Sequence, residues 1–179
     1  MNIVQNFKID ISTLVIAIIA LGFTIWQGKE QIKHNHVSVE PRFTSYFSTN
    51  GKEKQWGIYI LNNGLGTGFV KELTVLVDGV EVPNHERGKF YSAINSLKLN
   101  PLCFLLGGPR ENDSFAVGEE IFLIEAQPEN TALAPKSCAK DRLLLMKYQK
   151  ERLNYILEVE SIYGDKFEYS YSNNTQTKI

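Results

Sequence analysis

The side chains of this chain that could carry chemistry are three histidines, two cysteines, a glycine-rich loop and two close pairs of glutamates. His34 and His36 could ligate a metal. At positions i and i+2 they share a side of a strand but diverge on a helix, and no cluster of Cys, Asp or Glu accompanies them. A polar pair in a connector accounts for them. His85 stands in Asn84-His85-Glu86-Arg87, most simply a polar loop. A thiol–imidazole dyad of His85 with Cys103 or Cys138 stays open, although neither cysteine lies in a recognisable nucleophile context. Cys103, between Leu102 and Phe104, reads as core. The two cysteines are too few for a disulfide scaffold and form no C-x-x-C pair. In a cytoplasmic domain they are reduced thiols; in an oxidising compartment one bridge is possible.

The loop Asn62-Asn63-Gly64-Leu65-Gly66-Thr67-Gly68 invites comparison with a phosphate cradle. The dinucleotide fingerprint needs G-x-G-x-x-G between a strand and a helix. Gly64 and Gly66 fit, but the third position holds Phe69 and an alternating β-branched segment comes next. A wide turn between two strands explains the glycines. Glu119-Glu120 and Glu158/Glu160 are paired carboxylates of the kind used in acid–base work; solvated strand edges explain them equally. With no G-x-S-x-G, H-E-x-x-H or EF-hand pattern, the expectation is a non-enzyme with no catalytic, cofactor-binding or metal-binding residues. A net charge of −1 gives no reason to expect a nucleic-acid partner.

The element that must position everything else is the run from Ile11 to Gly28, ISTLVIAIIALGFTIWQG, which carries no charge. As an α-helix it spans roughly 27 Å, close to the hydrocarbon thickness of a bilayer. Three readings compete. A core helix would show a polar stripe, and this run has none. A cleaved signal peptide could use Lys8 as its charged region and Ala20-Leu21-Gly22 as its cut, but Asp10 abuts the apolar run and Phe23, Ile25 and Trp26 continue it. A retained transmembrane helix is the reading adopted, with Trp26, Lys29 and Lys33 at the membrane interface. Lys29, Lys33 and Arg42 outnumber Lys8 and the α-amino group, so the positive-inside rule puts the C-terminal domain in the cytoplasm. Thr13, Ala17, Ala20 and Thr24, spaced 4, 3 and 4, form a small-residue stripe on which helices could pack in lipid.

The expected organisation is a short tail over 1–10, the transmembrane helix over 11–28, a juxtamembrane connector over 29–36 into which helix formers carry the helix a turn or two until Pro41 opposes it, a β domain over 37–172 and a frayed tail over 173–179. Within the domain, strands are expected over 37–47, 56–61, 69–77, 80–82, 102–106 and 121–126, a short helix over 92–99 and a longer one over 137–153. Leu143, Leu144, Met146 and Leu153 form the apolar side of the longer helix. Asp78-Gly79 is a hairpin turn. In the C-terminal hairpin, Tyr155, Leu157 and Val159 alternate with glutamates, as do Phe167, Tyr169 and Tyr171 with polar residues. Keeping the apolar faces together requires a three- or five-residue loop centred on Gly164, with Val159 opposite Tyr169 and a bulge.

These elements make the chain mainly β: a transmembrane helix, then an antiparallel β-sandwich with one inserted α-helix. The pieces YILNNGLGTGFVKELTVLVDG and FAVGEEIFLIEA resemble immunoglobulin-like bacterial domains. With WQGKEQIKHNHVSVEPRF and YILEVESIYGDKFEYSY added, the chain resembles small uncharacterised bacterial single-pass membrane proteins. That resemblance implies the fold and a bacterial inner membrane, and no reaction. The expected function is a membrane-anchored interaction module, its partners the lipid bilayer and either a protein or a second copy. The alternative is a ligand-gated effector that oligomerises through its helix and perturbs the membrane.

Overall fold

The computed structural model describes residues 11–50, 55–127 and 138–179. The expected 1–10 tail and the loop around Pro128 and Pro135 lie outside them. The chain divides into two compact units, Met1–Ser38 and Val39–Ile179.

The first unit contains α1 (Ile11–Ser38), a single helix of 28 residues with none buried. Its most apolar stretch has a mean hydropathy of 1.8. It is long and apolar enough to span a membrane, a property that a signal sequence shares. The helix continues past Gly28 for the two turns expected of the connector and goes two residues beyond His36. It runs through the whole expected connector and takes in Val37 and Ser38, which sequence reading gave to the first strand. Lys29, Glu30, Gln31 and Lys33 are good helix formers. The stop comes from Pro41, which biases Glu40 to extended backbone.

The second unit is mainly antiparallel β. One sheet has the order β1 (Phe43–Ser48), β2 (Gly57–Asn62), β7 (Glu120–Ala126), β5 (Phe104–Leu106). The other has the order β10 (Thr175–Lys178), β9 (Lys166–Ser170), β8 (Leu153–Glu160), β3 (Gly68–Val77), β4 (Val80–Glu81), with β6 (Ser114–Phe115) also pairing β3. Two α-helices accompany them, α2 (Lys89–Ser96) and α3 (Ala139–Glu151): the short one starts and ends three residues before the expected 92–99, and the longer one lies within 137–153. Ile58, Ile60 and Ile124 of the first sheet share one core with Val75, Tyr155, Leu157 and Tyr169 of the second and with Phe90 and Ile94 of α2. A polar link crosses the core as well, Ser45 bonding the Tyr155 hydroxyl; within the second sheet Tyr169 donates to Asn174 Oδ1 at 2.7 Å. Burial raises the pKa of the Tyr155, Tyr169 and Tyr171 hydroxyls, so they act here as neutral hydrogen-bonding groups.

Strand β3 carries a bulge that sequence periodicity did not reveal. Val70 pairs with Val159 and Glu72 with Glu158, leaving Lys71 as the extra residue. Before it, even-numbered Gly68 and Val70 are buried; beyond it, odd-numbered Val75 and Val77 are. One inserted residue moves the inward phase from even to odd.

The C-terminal hairpin keeps the predicted faces and a five-residue connection, 161–165, but its register is offset by two. Leu157 pairs with Tyr169 and Val159 with Phe167. Ser161 decides this: its N–H donates to Asp165 O at 2.8 Å, and its hydroxyl accepts from Tyr163 and Asp165 N–H at 3.3 and 3.2 Å. A two-residue shift preserves the faces, so the hydrophobic pattern could not distinguish the registers.

The end of the chain is a strand, not a frayed tail. β10 pairs with β9, and Gln176 of β10 with Asn174 just before it closes the free edge of β1. Gln176 accepts from Phe43 N–H at 3.1 Å and donates to Pro41 O at 2.7 Å; Asn174 Oδ1 accepts from Ser45 N–H at 3.2 Å. In α3 the expected apolar side is likewise corrected. Leu144 packs against the core as expected, but Leu143 and Met146 are exposed, the buried Leu153 opens β8 instead, and the buried residues of the helix are Leu145 and Gln149. Gln149 is tolerated inside because it accepts from the Tyr171 hydroxyl.

Asp78 and Gly79 turn the β3–β4 hairpin with φ of +54° and +79°, the left-handed pair of a type I′ turn. Asp78 also takes a two-pronged contact from Arg152, at 2.7 and 2.5 Å. That bond holds the Asp78 carboxyl below its ordinary 3.8. A depressed carboxylate contributes stability above its unfolded-state pKa and loses it as pH falls through the folded value. Asp78→Asn is therefore expected to melt below wild type at neutral pH, with the gap closing below pH 3.8 in a pH series of melting curves.

Candidate functional site

The site residues expected on α1 all lie on its exposed surface. Thr13, Ala17, Ala20 and Thr24 share one side of the helix by spacing. Thr24 donates its hydroxyl to Ala20 O at 2.9 Å, which satisfies a polar group inside an otherwise apolar segment. Phe23 and Trp26 rings lie 5.5 Å apart near the polar end, and Lys29 and Lys33 come next, both exposed.

The chemistry-bearing residues of the domain are otherwise engaged. Cys103 and Cys138 form a disulfide with 5.4 Å between Cα atoms, so neither is available as a thiol partner for His85. His85 stacks on Tyr91 at 4.4 Å and its Nδ1 accepts from Arg87 N–H at 3.0 Å. Among the described residues no group of three His, Cys, Asp or Glu could hold a metal. The glycine-rich loop runs from β2 in one sheet to β3 in the other, with no helix after it. Its centre is Asn62, fully buried. Asn62 Oδ1 accepts from Arg42 and Gly64 N–H at 3.1 and 3.0 Å, and Nδ2 donates to Gly66 and Phe115 carbonyls at 2.9 and 3.2 Å. A Cβ on Gly66 would stand 1.8 Å from Val39 O. The loop is a structural clamp between strands.

Two surfaces could receive a partner. A cleft of about 860 Å³ between β1 and α3 is lined by Ser45, Phe47, Gln149, Lys150 and Tyr171. Its buried polar groups already bond one another, as Gln149 and Tyr171 do. The second surface is the face of the first sheet turned from the core, and sequence reading missed it. Tyr46, Tyr59 and Phe122 are register partners across β1, β2 and β7 and form one aromatic row. Tyr46 and Tyr59 rings stack at 5.6 Å and 20°. Tyr59 is buried yet stands apart from the core cluster that holds its neighbours Ile58 and Ile60. Leu61 and Leu105 flank the row, with Glu120 and Glu125 beside them. Tyr46 donates to Glu120 at 2.5 Å. Glu125 lies against Tyr59, and its burial raises its pKa while the tyrosine hydroxyl lowers it. The available signal was Ile58-Tyr59-Ile60-Leu61 itself: an apolar run without alternation marks a strand covered on both faces. The second sheet's outer face differs in chemistry, with Glu72, Glu158 and Glu168 side by side.

Fold and surfaces together define the class only as architecture. It is a mainly antiparallel β domain behind an N-terminal helix long and apolar enough to cross a membrane. No protein-family model, curated protein or solved structure matches the chain.

Proposed function

We propose that this chain is a membrane-tethered, non-enzymatic interaction module in which α1 lies in a bilayer and the β domain offers its aromatic sheet face to a protein partner. The observation that carries the reading is α1 itself: 28 residues, apolar over a bilayer's thickness, none of them buried. Burying an exposed Ile, Leu or Phe side chain is worth about 1.5–3 kcal/mol, and lipid supplies that burial. Tethering raises the partner's effective concentration without new contacts. On the resemblance drawn from sequence, the bilayer is a bacterial inner membrane and the sheets are the layers of an immunoglobulin-like sandwich; the shared core and the β2-to-β3 crossing between sheets support the latter.

The row Tyr46, Tyr59, Phe122 with Glu120 and Glu125 suits a segment bearing arginine or lysine, which stacks on aromatic faces and pairs with carboxylates. The edges are poorer candidates, since β1 is closed by Gln176 and Asn174 and β4 spans two residues. Two measurements test the reading. The full chain should stay in the membrane pellet after alkaline extraction, and a chain with Ile16, Ile18 and Ile19 changed to Lys should not. A photo-crosslinking residue at Phe122 should capture a protein adduct, whereas one at Glu158 should not; adducts at Glu158 alone would overturn the choice of face.

The small-residue stripe favours a second reading, an effector that assembles through α1 and perturbs the membrane on binding a ligand. Under it, Ala17→Leu with Ala20→Leu should reduce a detergent-solubilised oligomer to monomer in sedimentation. An unchanged particle would remove the stripe as a contact.

A further inference from the structure

We infer that the β domain stands in an oxidising compartment, on the non-cytoplasmic side of the membrane that holds α1, with the Cys103–Cys138 bridge as a permanent part of its fold. The inference rests on the tether reading for the membrane and on the bridge for the side.

The chain has two cysteines and both are buried in this bridge. Cys103 ends a short 3-10 turn (Pro101–Cys103) leading into β5, and Cys138 is the residue that caps the start of α3. The cap has no side-chain hydrogen bond; further along, α3 buries Leu145 and Gln149 and packs Leu144 and Tyr148 against the core. Polar contacts reach this end of the helix as well. Arg142 donates to Gln127 O at 2.6 Å, and Asp141 accepts from Asn100 N–H at 3.5 Å. The bridge is thus the one covalent link pinning α3 to the first sheet's edge. Cytoplasmic thiol buffers keep such pairs reduced, whereas exported domains keep them oxidised. A buried bridge joining the start of α3 to the turn before β5 is expected in the latter setting.

The cation count points the other way, but weakly. Lys29, Lys33 and Arg42 stand against Lys8 and the α-amino group, a difference of about one charge, and the positive-inside rule orients a chain by an excess of cations. The expectation of a cytoplasmic domain rested on that small difference, and the bridge outweighs it. The partner of the aromatic face is then an extracytoplasmic protein.

The test uses the full chain in its native host. Cells are quenched in acid, denatured, treated with N-ethylmaleimide, and then labelled with a polyethylene-glycol maleimide before or after reduction. The membrane pellet and the soluble fraction are scored separately. We expect protein in the pellet that gains no adduct before reduction and two after it. Loss of the post-reduction adducts, with both thiols blocked at the first step in most of the chains, would overturn the inference. A bridged chain found in the soluble fraction would leave the oxidising compartment standing and overturn the tether instead.

Discussion

Asn62→Ala is expected to destabilise the β domain by about 3 kcal/mol or more, since the change strands two buried N–H donors and two carbonyls at roughly 1 kcal/mol each before any cavity forms. For a domain of this size that is a fall in melting temperature of roughly 10 °C, read by circular dichroism or scanning calorimetry. The side chain joins the start of β1 through Arg42, the loop through Gly64 and Gly66, and β6 through Phe115. Its backbone bonds Glu119 O and Gly118 N–H as well. Asn62→Asp separates hydrogen bonding from packing. It keeps the acceptor for Arg42 and Gly64 but turns a carboxylate toward two carbonyl oxygens. Its folded-state pKa is expected to rise, and a raised pKa contributes stability that is lost as pH rises. That variant should therefore be weakest at neutral pH and recover part of its stability in acid, whereas Asn62→Ala should not. Equal melting of wild type and Asn62→Ala would show that the side chain clamps nothing.

The second large effect is loss of the bridge. Cys103 and Cys138 are separated by 35 residues, and closing a loop of that length in the unfolded chain is worth roughly 3–4 kcal/mol on chain-entropy grounds. Reduction of the native domain, or Cys103→Ser with Cys138→Ser, should lower stability by that order. Hydrogen exchange should locate the change: amides at the start of α3, around Arg142, lose protection first, while β3 and β8, which pair over most of their length, keep theirs. Uniform loss across both sheets would mean that the bridge does not serve α3 in particular.

How much of the molecule was legible in the chain depends on the range of the interaction. Ile11–Gly28 announced a long exposed helix because eighteen consecutive uncharged residues need no tertiary information to be read. Asp78-Gly79 announced its hairpin because both residues accept positive φ. The alternation over 155–159 and 167–171 chose the inward faces of the last hairpin. The sites were harder. The aromatic row takes one residue from each of three strands, and Phe122 meets Tyr59 only through a register shift between Ile58 and Tyr59. The Cys103–Cys138 pair gave no local sign, since neither cysteine stands in a motif.

By itself, then, the sequence determined the apolar helix, the mainly β character of the domain behind it, the Asp78-Gly79 turn and the inward faces of the last hairpin, all of which depend on neighbours a few positions apart. Only the tertiary structure decided that the last residues form a strand closing β1, that a bulge at Lys71 inverts β3, that Asn62 clamps two sheets and that two distant cysteines meet. Those outcomes depend on which buried groups find partners when distant segments pack, and no pattern within one segment contains its partner.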